Sequence, residues 1–244
     1  MKRPIFLAVM LLCMMPRSFA NEPFWALNVS TGFNFVGTSQ RDLDCIRAFR
    51  SNESVYGSRK KNASTYYLSL MPEYYLSTRF ALSTGLSVTS TESKFDSDYR
   101  FFYYKTAEDG CDTYYYRINS IRQTNLYVGV PIEFRLTIRT GGRPAPYMRA
   151  GTTLNFRCST KSDVNYYQYY RNSNMGGINE KDIPAGDNFV MPVYCAAGCQ
   201  FGQKNSFSVE ITFPYIIVAG SISGLHFTDN LGGGLRLTYQ FVKD

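Results

Sequence analysis

Residues 126–136 read Leu126-Tyr127-Val128-Gly129-Val130-Pro131-Ile132-Glu133-Phe134-Arg135-Leu136. Every second side chain is large and apolar: Leu126, Val128, Val130, Ile132, Phe134 and Leu136. Between them stand Tyr127, Gly129, Glu133 and Arg135. A period of two is that of a β-strand with two unlike faces. Small residues mixed with long charged ones on the polar face suit a narrow, packed polar interior better than open water. The stretch therefore predicts a strand that turns its apolar side outward to lipid and its polar side inward, as membrane strands do.

The pattern repeats on both sides of this stretch. A compact turn at 139–143, with Gly141-Gly142, leads to Met148, Ala150, Leu154 and Phe156 against Arg149, Gly151, Asn155 and Arg157. Upstream, Leu27, Val29, Phe33 and Phe35 oppose Asn28, Ser30, Gly32 and Asn34. Tyr66, Leu68, Leu70 and Tyr74 oppose Ser69 and Glu73, and Phe80, Leu82, Leu86 and Val88 oppose Arg79, Ala81, Ser83 and Ser87. Downstream, Met191, Val193, Ala197 and Phe201 oppose Tyr194, Ala196, Gly198 and Gln200. Phe207, Val209, Ile211, Phe213 and Tyr215 oppose Ser208, Glu210 and Thr212, and Leu235, Leu237, Tyr239 and Phe241 oppose Gly234, Arg236, Thr238 and Gln240. These segments predict an all-β, eight-stranded antiparallel up-and-down transmembrane β-barrel.

The connections alternate in length. Long polar stretches at about 38–62, 93–120, 159–188 and 221–230 alternate with tight turns near Ser77-Thr78, at 139–143 and at 202–205. Outer-membrane barrels combine long outer loops with short periplasmic turns. Aromatic residues on the apolar face sort to strand ends. Phe35, Tyr66, Phe156 and Tyr215 fall toward one rim, and Tyr74, Phe80, Phe134, Phe207 and Phe241 toward the other. Two interfacial girdles are expected from this.

The first twenty residues differ from the rest. Lys2 and Arg3 precede an apolar run at 5–15, and Ser18-Phe19-Ala20 offers small residues where a signal peptidase reads. A signal peptide cleaved after Ala20 is expected, with residues 21–244 forming the barrel and the Gram-negative outer membrane as its destination. Cys13 as a lipidated cysteine is the rival reading, opposed by Leu11 and Leu12 just before it. Lys2, Arg3 and Arg17 carry three of the seven net positive charges. The remainder, 7 − 3 = +4, is too mild to argue for nucleic acid.

The segments Leu70-Met71-Pro72-Glu73-Tyr74, Tyr127-Val128-Gly129-Val130-Pro131-Ile132 and Pro146-Tyr147-Met148-Arg149-Ala150-Gly151 resemble those of Bacteroidetes-type outer-membrane β-barrel proteins, the PorT-like "porin family". The final run from Leu235 to Phe241, with Tyr239 and Phe241, resembles a barrel-assembly signal, although Val242-Lys243-Asp244 follow it. The resemblance implies partners among outer-membrane lipids, the barrel-assembly machinery and secretion-system subunits. The word porin does not carry over, because an eight-stranded barrel fills its interior with side chains.

The chemistry available is limited. Glu73, Arg79, Glu133, Arg135, Arg149, Glu210 and Arg236 are expected to form an ion-paired network inside the barrel, with Glu133 and Arg149 in diagonal reach across their hairpin. His226, with Ser223 and Asp229 nearby, is the sole candidate for a lipid-modifying centre, and spacing in a loop gives it no geometry. The chain is read as non-enzymatic, with no cofactor and no metal site. Cys195 and Cys199 share the apolar face, about 13 Å apart along a strand, too far to bridge. Among the loop cysteines, Cys45 with Cys111 is the favoured disulfide. The loops are rich in tyrosine beside arginine, at Tyr103, Tyr104, Tyr115, Tyr116, Tyr166, Tyr167, Tyr169 and Tyr170. That composition suits recognition of a surface glycan or protein. The bland alternative is that these segments pair as strands beyond the membrane and pack their rings together.

Overall fold

A computed structural model describes residues 25–40, 46–47, 61–96, 102–107, 113–138, 144–167, 178, 183–202, 205–224 and 226–242. The strands are β1 (Trp25–Gln40), β2 (Ile46–Arg47), β3 (Lys61–Tyr75), β4 (Phe80–Thr84), β5 (Leu86–Asp96) and β6 (Phe102–Ala107). They continue with β7 (Thr113–Thr137), β8 (Ala145–Tyr166), β9 (Phe189–Phe201), β10 (Ser206–Ala219) and β11 (His226–Val242). All pairings are antiparallel. β1 pairs β3, β3 pairs both β4 and β5, and these pair β7. β7 pairs β8, then β9, β10 and β11 follow in turn, and β11 returns to β1. The sheet is thus an up-and-down meander that closes into a ring. β4 and β5 occupy one position in it, so the ring has eight staves built from nine strands. They are divided at Gly85, where a Cβ would lie 2.1 Å from the Leu70 carbonyl oxygen. β2 and β6 extend the sheet from β7 at the rim that carries the long connections, hereafter the upper rim.

The lower turns are short, as the sequence implied. At 76–79, Leu76 and Ser77 donate their amides to the Phe80 carbonyl, and the Ser77 hydroxyl accepts from the Arg79 and Phe80 amides. At the β9–β10 turn Gly202 has φ +105°, a left-handed conformation that suits glycine. The 139–143 turn lies outside the described residues.

Side chains sort by parity as expected. Leu27, Leu70, Leu86, Val128, Ile132, Met148, Ile211 and Leu237 are exposed on the outer face. Asn28, Ser30, Asn34, Ser69, Ser83, Asn155 and Thr238 are buried within the ring. This is the inverse of a soluble fold, which buries apolar side chains and wets polar ones. Outward aromatic rings meet near both ends. Trp25 lies 4.7 Å from Tyr74, Phe80 5.5 Å from Phe134 and Tyr239 4.6 Å from Phe241 at the lower rim. Phe33 with Phe35 and Phe156 with Phe189 make similar contacts toward the upper one.

Three expectations are corrected. Tyr215 does not face outward. The ladder shifts register between Thr212 and Tyr215, so parity reverses and Tyr215 and Ile217 are buried. Pro214 sits in this irregularity, where its missing N–H breaks no pairing. Arg79 is exposed in the 76–79 turn, below the ring interior. The strands also run well into the stretches taken for loops, reaching Asp96 in β5, starting at Thr113 in β7 and reaching Tyr166 in β8.

In that upper extension the two faces exchange character. Phe95, Ile118 and Ile121 are buried inside, packed with Ile178 and Ile183. Outside stand Lys94, Arg122, Lys161 and Asp163, with Arg122 3.2 Å from Glu92 and Lys161 3.2 Å from Asp163. β7 is therefore apolar outward from Leu126 down and apolar inward from Ile121 up.

Candidate functional site in the ring interior

Register alone brings the interior charges together. Glu210 sits opposite Arg236 on β10 and β11 and opposite Gly198 on β9. Glu133 on β7 faces Ser83 on one side and Gly151 on the other. A Cβ on Gly151 would lie 2.9 Å from the Glu133 Cγ, and one on Gly198 2.7 Å from the Glu210 Cγ. These glycines leave the width that the glutamates occupy.

Three carboxylates and three guanidiniums interlock there. Arg149 lies 2.5 Å from Glu133 and 3.4 Å from Glu210. Arg236 donates to both Glu133 oxygens, at 2.6 and 3.1 Å, and to the Ser30 hydroxyl at 3.1 Å. Arg135 stands 3.1 Å from Glu73 and also donates to Gln200. Arg135 and Arg149 are direct neighbours across β7 and β8. They tolerate the like charge because Glu73 serves both, at 3.1 Å from Arg135 and 3.9 Å from Arg149, because Arg149 also reaches Glu133 and Glu210, and because Arg135 stacks 4.2 Å from the centre of the Tyr147 ring. Isolated charges so deeply buried would be costly, so their pairing is obligatory.

Six of the seven expected network residues meet here, and Arg79 is the exception. Several partners were not singled out beforehand. Tyr147 donates its hydroxyl to Glu210 at 2.7 Å, and Tyr194 donates to Glu133. Asn28 donates to Glu73 at 2.5 Å, and Gln240 donates to the Tyr75 hydroxyl at 2.9 Å. Their signal was inward parity, which marks a residue as interior without naming its partner.

A second closure lies at the upper end. Gln123 donates to the Pro184 carbonyl at 2.8 Å and accepts from the Ser223 hydroxyl and the Gly224 amide at 3.0 and 3.1 Å. Asn125 donates to the Ile222 carbonyl at 2.8 Å, and Arg157 donates to Gly186 and to Asn188. Segments 183–188 and 221–224 are thereby drawn over the interior. Ser223 is buried in this closure. The side chains of His226 and Asp229 lie outside the described residues, so the His-Ser-acid arrangement has no described geometry.

Among the loop tyrosines, Tyr116 packs edge-on to Tyr166 at 6.3 Å, and the Tyr166 hydroxyl accepts from the Ile178 amide at 2.8 Å. Arg117 lies over the Tyr103 ring at 5.8 Å. Tyr104 and Tyr115 lie in the β6–β7 ladder, where Tyr104 pairs with Tyr116 and Tyr115 with Lys105. Their side chains, together with Tyr169, Tyr170, Cys45 and Cys111, lie outside the described residues. Tyr167 donates its amide to the Arg117 carbonyl at 3.1 Å. Cys195 is exposed on the outer face, Cys199 is half-buried, and neither is in a disulfide. Tyr239 and Phe241 sit outward on the last strand.

No family model matches the chain, and no curated protein matches it. Among solved structures it is similar to outer membrane protein AlkL, determined by solid-state NMR in DMPC lipid bilayers. The TM-score is 0.39 and the identity 12%, over 94% of this chain and 95% of that one.

Proposed function

We propose that this chain is an integral outer-membrane β-barrel of eight staves, non-enzymatic, with a closed interior and a structural or surface-recognition role exercised at its upper rim. The reading rests on one observation: a belt of exposed aliphatic side chains, bounded by aromatic rings, surrounds a buried polar interior. From Trp25 to Phe35 the first stave climbs about ten residues at ~3.3 Å each. At a tilt near 40° that is a rise of about 25 Å, the height of an outer-membrane barrel's apolar band. A soluble ligand-carrying barrel would have to leave this belt in water. Above the belt the outer face turns charged, as a surface leaving the bilayer must. The PorT-like resemblance and the signal peptide ending at Ala20 belong to the same proposal.

The test is gel migration of the cell-membrane fraction with and without boiling. The folded barrel is expected to stay with outer membranes and to shift on boiling, with a mature chain that starts at Asn21. Added protease should clip the tyrosine-rich 166–171 segment on intact cells. A chain found in the soluble fraction would overturn the membrane reading. A membrane-bound chain left uncut on intact cells would overturn the surface role alone.

A further inference from the structure

We infer that a cavity midway along the ring is a water site holding two molecules, bound by Asn34, Thr65, Ser69, Ser87 and Asn155. The cavity measures about 30 Å³ and lies between the charge network, through Glu133, and the upper closure. About 10–15 Å³ of such space holds one water, so there is room for two.

The walls ask for them. The five residues are each at most 5% exposed. Among the described residues, the Asn34 and Asn155 carbonyl oxygens and the Thr65, Ser69 and Ser87 hydroxyls have no hydrogen-bond partner. Five desolvated polar atoms converging on one space are rare in a folded protein unless water completes them. Two waters bonded to each other, each making three to four bonds, leave four to six for the protein. Five acceptors and donors fit that number.

The occupant is neutral. The charge network below balances three carboxylates with three guanidiniums. Glu133, the one charged group among the described residues that line the cavity, already receives Arg149, Arg236 and Tyr194. Neither a cation nor an anion would find an uncompensated charge. Gly129 keeps the space open. A Cβ there would stand 2.3 Å from the Asn155 carbonyl oxygen and 3.0 Å from the Ser87 hydroxyl.

The probe is water itself, observed by cross-relaxation to side-chain protons in the full chain folded in detergent micelles. Wild-type protein is expected to show long-lived water contacts, with NOE and ROE of opposite-to-bulk relation, at the Asn34 and Asn155 amides. Gly129→Ala should displace at least one water and abolish the Asn155 contact. Should Gly129→Ala fail to fold, Ser69→Ala with Ser87→Ala removes two of the five ligands without adding bulk and should weaken both contacts. Raising KCl should change nothing. Absent contacts in the wild type, contacts unmoved by these variants, or contacts displaced by KCl would each overturn the inference.

Discussion

Arg236 is among the largest fully buried side chains, at 2% exposure, and it reaches Glu133 across strands distant in sequence. Removing one partner of a buried pair leaves the other charge uncompensated, which costs about 3–5 kcal/mol. Arg236→Ala is therefore expected to lower stability by that amount, with Glu133 retaining only Arg149, Tyr194 and Ser83. Arg79, of the same residue type and also on the inward parity, should behave differently because it lies exposed in a turn. Arg79→Ala is expected to leave the unfolding midpoint in place. The single tryptophan, Trp25, stands outward at the lower rim and reports both through its fluorescence in denaturant titrations of lipid-embedded protein. Equal losses from the two substitutions would contradict the assignment of Arg236 to the network and Arg79 to solvent.

At the scale of the strand, β10 reverses parity within the apolar belt, as β7 does near Asn119 and β8 does at Cys158 toward the upper end. Val209, Ile211 and Phe213 face out, then Tyr215 and Ile217 face in and Val218 faces out again. Single cysteines placed along β10 in a chain lacking native cysteines should show this directly. Positions 209, 211, 213 and 218 are expected to react with a lipid-soluble maleimide, and 215 and 217 to resist it. Uninterrupted odd-numbered labelling would remove the register shift. The same strand marks the limit of what period two reveals. In β3, β7 and β11 the outer and interior faces were legible because no residue is inserted along the apolar belt, and in β8 the alternation holds up to Arg157, just before the extra residue at Cys158. The Glu133–Arg149 contact was legible because one turn fixes its register. The Arg236–Glu133 and Tyr194–Glu133 contacts were not, because they cross the interior between strands that are not neighbours. Their meeting depends on the closure of the whole ring. The inserted residue in β10 was hidden for a related reason: Phe213-Pro214-Tyr215 looks apolar in either register.

For the molecule as a whole, the proposed closed interior rests on two blocks of different chemistry, with the cavity between. The lower block is ionic, through Glu73, Glu133, Glu210, Arg135, Arg149 and Arg236. The upper block is held by amide side chains that grip backbone, Gln123 on Pro184 and Gly224 and Asn125 on Ile222, backed by the apolar contacts of Ile178 and Ile183. Two barriers in series pass ions only when both give way. Glu133→Ala with Arg236→Ala removes a charge-balanced pair from the lower block and leaves the upper one intact. Gln123→Ala with Asn125→Ala releases the upper block and leaves the ionic one intact. In planar bilayers the wild type and each double variant are expected to show no steady openings, while the fourfold variant should show reproducible ones. Heat-shifted gel migration checks that each variant remains folded. Steady conductance from the lower-block variant alone would mean that segments 183–188 and 221–224 do not seal the interior, and that the charge network is the sole barrier.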